Sequence, residues 1–167
     1  MTSVFTGYLL IALLLAIAVF VFVKLFVDGQ RGDISGKLIW TDHGKNTKSF
    51  SNHQFRVFGK PDLMYKVQRG VKAVEYKHRN GPIFDADIAQ SLAASLAARG
   101  EGYQVIEVLI KTQTNEVLID LRCSDKAIYS KIEKHIQIVR DAKAGKSMTK
   151  KPGARKCRSC AYRGSCA

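Results

Sequence analysis

The stretch "VFGKPDLMYKVQRGVKAVEYKHRNG", residues 57–81, decides how this chain folds. Two short runs inside it, "DLMYKV" and "KAVEYK", mix β-branched, aromatic and aliphatic residues, and "QRG" separates them. That pattern predicts two strands joined as a hairpin. Side chains alternate faces along a strand, so Glu75 and Lys77 share one face while Tyr76 points to the other. The neighbouring strand can bring Asp62 beside Glu75. Ala73, Val74 and Tyr76 would set Glu75 deep in a sheet, where an unpaired charge is costly. Two readings compete: an exposed, ion-paired ladder, or paired carboxylates that hold a metal ion.

Working outward, "KLIW" and "HQFRVFG" read as further strands before the hairpin. "DADIAQSLAASLAARG" (85–100) reads as a helix: Ala and Leu dominate, Ile88, Leu92 and Leu96 recur every four residues, and Gly100 offers a stop. "YQVIEVLIK" and "NEVLIDLR" are two more β-rich runs. "DKAIYSKIEKHIQIVRDAKAG" (125–145) is a second amphipathic helix with Ile128, Ile132, Ile136 and Val139 on one side. The fold class is therefore α/β, a mixed sheet flanked by helices, over residues 38–145. A basic tail, 146–167, ends in cysteines. There is no internal repeat.

Lys and Arg number 27 against 14 Asp and Glu, a formal charge of +13. None of it lies in residues 1–23, so the rest of the chain carries it all. Such a domain is built to meet an anion, nucleic acid or a lipid surface. From Leu9 to Val23 every residue is apolar, and the uncharged run extends back to the N-terminus. A bilayer takes about 20 such residues, and no basic n-region precedes the run as a cleaved signal would require. Residues 1–27 thus read as one transmembrane helix and 28–37 as a linker. Lys24, Arg31 and Lys37 follow the span, which keeps the C-terminal domain in the cytoplasm. A reducing cytosol favours metal binding over disulfides for clustered cysteines.

Cleaving a phosphodiester with Mg²⁺ or Mn²⁺ needs rigid oxygen ligands and a group that positions the attacking water. Asp62, Glu75 and the backbone carbonyl of Tyr76 can supply the ligands. Lys77 can orient water or offset charge developing on the phosphate.

"GKPD" followed thirteen residues on by "VEYK" resembles the PD-(D/E)XK nuclease motif. The likeness is to the RecB-like branch, which includes the CRISPR-associated exonucleases and the nuclease domain of eukaryotic replication helicase-nucleases. It covers roughly residues 36–166, with "GKLIWTDHGKNTKSF" similar to the lead-in of one short group. The resemblance implies a restriction-endonuclease-like sheet, with Asp62 and Glu75 as metal ligands and Lys77 as catalytic lysine. It also implies that Gln90, on the helix thirteen residues after Lys77, contacts DNA or helps align the site. Asp87-x-x-Gln90 is also capping-box spacing, in which Gln90 would serve the helix N-terminus. Many members carry a further metal-binding histidine on an upstream helix. Here the only upstream histidines are His43 and His53, without that spacing, and His53 reads as a surface residue.

The branch also ends in a cysteine cluster, matched here by Cys157, Cys160 and Cys166 in "CRSCAYRGSC". Three ligands are one short of a [4Fe–4S] cluster or closed Zn²⁺ site. The resemblance favours iron–sulfur. Cys123, the only other cysteine, or a histidine completes the set; otherwise Cys123 is a buried or idle thiol. From Arg140 to Arg163 nine basic residues stand against one acid, and Lys150, Lys151, Arg155, Lys156 and Arg158 can track a phosphate backbone.

These features lead to the expectation of a membrane-anchored, divalent-metal-dependent DNA nuclease acting on single strands or ends. One rival is a non-catalytic, membrane-tethered nucleic-acid-binding protein with a degenerate nuclease fold. Another is a structural metal-binding membrane protein.

Overall fold

A computed structural model describes residues 11–22, 34–44, 47–147 and 157–158. Residues 11–22 form helix α1. The rest builds seven strands and two helices: β1 (Lys37–Thr41), β2 (Phe50–Asn52), β3 (Val57–Gly59), β4 (Leu63–Val67), β5 (Gly70–Tyr76), α2 (Asp85–Gly100), β6 (Val105–Lys111), β7 (Glu116–Asp120) and α3 (Asp125–Lys143). Five strands make one mixed sheet in the order β1-β4-β5-β6-β7, and β2 pairs with β3 in a separate ribbon.

The hairpin forms where the sequence places it. Val67 faces Gly70 across a two-residue turn, and Leu63 faces Val74 in antiparallel register. From β5 the chain crosses through α2 to β6, which runs parallel, with Glu75 opposite Ile110 and Tyr76 opposite Lys111. β6 and β7 then close antiparallel. Because β5 lies mid-sheet it is apolar on both faces, as interior strands of covered sheets are. Val71 and Ala73 join Met64, Val105, Val108 and the helix residues Leu92, Leu96, Ile128 and Ile132 in the main core. Val74 turns the other way, into a smaller cluster with Ile34, Leu63 and Tyr65. Glu75 follows the alternation of Val71 and Ala73 and faces α2.

Alanines at 94, 97 and 98 are buried and give α2 a low surface. The β2–β3 ribbon lies on it closely enough that a Cβ on Gly59 would stand 3.1 Å from the Ala94 Cα. At the other end of the helix, a Cβ on Gly100 would stand 2.3 Å from the Ser51 carbonyl oxygen. Gly100 is thus a packing residue in the last turn, and the left-handed glycine that follows the helix is Gly102 (φ 90°) instead.

Several expectations need correction. Only Val57–Gly59 of "HQFRVFG" is strand; His53–Arg56 is a turn, with Arg56 at φ 49°, and pairs β3 with a strand the sequence did not reveal. Ile34, in the stretch read as linker, is buried in the second cluster, and Lys37 already belongs to β1. On α3 the apolar side runs past the end of the core: Ile128 and Ile132 are buried, but Val139 is 54% exposed. Among the described residues no helix is long and apolar enough to cross a membrane. The described part of the expected span is the twelve residues of α1, and the rest of 1–27 lies outside the described residues.

Candidate active site

Three strand ends meet at one edge of the sheet. Pro61 is fully buried just ahead of β4, where no ladder donor is needed. Asp62 follows it, its N–H donating to the Val74 carbonyl (3.1 Å) and its own carbonyl accepting the Asp42 N–H (2.9 Å). These bonds fix the residue between β1 and β5. Its carboxylate Oδ2 accepts the Tyr76 N–H at 2.6 Å, so Tyr76 gives the site a backbone donor. Lys77 lies just beyond β5, but its N–H still donates to the Lys111 carbonyl (2.8 Å), which keeps its side chain on the Glu75 face.

Glu75 itself is 3% exposed. Its Oε1 accepts from Lys77 Nζ (2.7 Å) and from Gln90 Nε2 (2.9 Å), while Gln90 Oε1 accepts a second bond from Lys77 Nζ (2.9 Å). The three side chains close a ring of hydrogen bonds between β5 and α2. Glu75 Oε2 is buried and finds no donor among the described residues. A buried carboxylate oxygen left this way is unfavourable by about 1–3 kcal/mol or more. Burial pushes the Glu75 pKa up from its usual value; the bond from Lys77 pulls against this, and the nearby charge of Asp62 adds to it.

The pair is therefore no exposed ladder: Glu75 is buried and Lys77 half-buried. The capping-box reading of Gln90 fails too. The helix begins at Asp85, and Asp87 in its first turn accepts the Phe84 N–H (2.8 Å), so Gln90 is free to reach β5. His53 is exposed and bonded to Ser51, beside Glu101 at the far end of α2. His43 is exposed and bonds Thr41.

Two neighbouring pairs escaped sequence reasoning. Lys60 Nζ bonds Asp42 Oδ1 at 2.7 Å and the Thr47 carbonyl at 3.3 Å. Arg79, two residues beyond Lys77, grips Asp87 with both terminal nitrogens. Burial raises the Asp87 pKa, but the Arg79 and Phe84 hydrogen bonds outweigh it and hold the group below the usual carboxylate range. The only advance signal was position: Asp42 follows β1 and Arg79 follows β5, both at the edge where Asp62 and Glu75 lie.

Among the described residues no group of three or more His, Cys, Asp and Glu is gathered as for a metal. The two carboxylates nonetheless fit a hard divalent ion. Glu75 offers an unpartnered oxygen, and Asp62 has one oxygen beyond that bonded to Tyr76. In the tail, Cys157 is half-buried and Arg158 exposed; Cys160, Cys166, Lys150, Lys151, Arg155 and Lys156 lie outside the described residues. Cys123 is half-buried against the main core.

Compared with known proteins, the chain matches no family model and no curated sequence.

Proposed function

We propose that this chain is a divalent-metal-dependent deoxyribonuclease with a restriction-endonuclease-like core, acting on single strands or ends. The observation that carries the proposal is the Glu75 carboxylate: buried, with one oxygen on Lys77 and Gln90, the other unpartnered among the described residues, and Asp62 beside it. A structural ion pair would be expected to satisfy both oxygens. An aspartate before one strand, an E-x-K at the end of the next and a glutamine on the following helix also agree with the resemblance in the sequence. Residues 1–27 would tether the domain to a membrane, with the C-terminal part in the cytoplasm. The basic tail would hold DNA, and Cys157, Cys160 and Cys166 would ligate a [4Fe–4S] cluster or Zn²⁺; these assignments rest on sequence alone.

In this reading Glu75 and Asp62 hold Mg²⁺ or Mn²⁺, which when bound polarises the scissile phosphate and eases deprotonation of water. The protein's own contribution is position and charge. Lys77 has three N–H donors, two of which serve Glu75 and Gln90. The third can reach a phosphate oxygen or the attacking water and stabilise charge that develops there. Gln90 fixes both Glu75 and Lys77, so neither rotates away as charge builds.

The test is hydrolysis of end-labelled single- and double-stranded DNA by the full-length chain, stripped with chelator and resupplied with Mn²⁺ or Mg²⁺. Hydrolysis that appears only on resupply is expected. DNA binding without hydrolysis in either ion would instead support the non-catalytic nucleic-acid-binding reading.

A further inference from the structure

Phe84 breaks a local rule. It is the N-cap of α2, where Ser, Thr, Asp or Asn normally caps the first turn. Instead an aromatic ring stands there, 53% exposed, and Asp87 takes over the capping by accepting the Phe84 N–H. A lone exposed phenylalanine ordinarily means nothing. Three features set this one apart.

First, the ring is backed by a cation: the Arg79 guanidinium carbon lies 4.9 Å from its centroid. Arg79 is held by Asp87 and by the Pro82 carbonyl (3.3 Å), while its buried Nε has no partner among the described residues. Second, the segment that carries the pair is pinned. Gly81 donates its N–H to Thr114 Oγ1 (3.2 Å), and its carbonyl accepts from Thr112 Oγ1 (3.0 Å) and Asn115 Nδ2 (2.9 Å). The Arg79 carbonyl accepts the Gln113 N–H at 3.1 Å. Third, the pair adjoins the site: Arg79 is two residues from Lys77, and Asp87 lies within electrostatic reach of both Lys77 and Glu75. A rigid aromatic face beside a fixed cation suits a nucleobase, because every base offers a π-face.

We propose that the Phe84 ring, backed by Arg79, is a stacking platform for one unpaired nucleobase of a single-stranded nucleic acid whose backbone crosses the Asp62–Glu75–Lys77 edge. The inference rests on the nuclease reading of that edge and names its substrate as an unstacked strand. A base inside a duplex keeps both faces covered by its neighbours and gains nothing from the ring.

The test measures affinity with chelator present, so that hydrolysis plays no part. The full-length chain and its Phe84→Ala and Phe84→Trp variants are titrated with a labelled single strand, the same strand with an abasic residue moved along it, and a covalently closed circular duplex. Phe84→Ala should weaken single-strand binding about 5- to 150-fold, with Phe84→Trp near wild type and the duplex unchanged. One abasic position should weaken the wild type and cost Phe84→Ala nothing more. Wild-type affinity of Phe84→Ala for the single strand would overturn the platform, as would an equal loss on the duplex. Hydrolysis by the wild type with Mn²⁺ is scored separately. Its absence alongside a base-dependent Phe84 effect removes the nuclease reading and keeps the platform; its presence without that effect removes the platform alone.

Discussion

Glu75 is the strained group of the candidate site, because burial takes away its water while Lys77 and Gln90 bond only one of its two oxygens among the described residues. Its folded-state pKa is raised above the usual 4.5, so the folded chain binds more protons than the unfolded chain just above that pH. Stability therefore falls as pH rises from the unfolded value through the folded one. Glu75→Gln should lose this slope, so thermal melts in chelator should show the variant gaining on the wild type as pH is raised through that window. A constant difference between the two would mean that Glu75 is not the strained group described here. The pairing of Glu75 with Lys77 was legible because strand alternation aligns them, and the hairpin register brings Asp62 to the same end of the sheet. The destination of Gln90 was not, since one spacing serves both a helix cap and a cross-element bond. Only the start of α2 at Asp85, with Asp87 capping from within the first turn, decides between them.

At the scale of elements, the two long helices and the central hairpin could be read from periodicity and turn residues. Their apolar positions are numerous enough to outvote local exceptions. The β2–β3 ribbon could be only half read: β3 lay within "HQFRVFG", but β2, three residues long, is too short to show a pattern. What holds the ribbon is closeness to α2, and closeness depends on Gly59 and Gly100 lacking side chains. Gly100→Ala should consequently destabilise the fold by about 1–3 kcal/mol, against the gain alanine usually brings inside a helix. Denaturant melts would check this; a stabilised variant would show that the ribbon yields to the methyl group without loss. Val139 marks the opposite error. Its place on the apolar side of α3 was clear, but where the core ends is set by α2 and the turn before β3, against which α3 packs.

For the whole molecule, the excess of +13 outside the N-terminal apolar run was plain in composition, and it predicts the form of binding more than its site. The logarithm of the affinity for single-stranded DNA should fall linearly with the logarithm of salt concentration as counterions are released. Fluorescence anisotropy across a salt series measures the slope; a flat response would remove the backbone-tracking role assigned to the tail. The sheet edge, by contrast, is assembled from residues distant in sequence, and its neighbours Asp42, Lys60, Arg79 and Asp87 became visible only through strand register.

The most direct measurement is the single-turnover rate of DNA hydrolysis by the full-length chain in Mn²⁺, beside Glu75→Gln and Lys77→Ala. The account predicts hydrolysis by the wild type, none detectable for Glu75→Gln, and a rate about 10²–10³-fold lower for Lys77→Ala. Both variants cutting at the wild-type rate would contradict it and place any hydrolysis elsewhere.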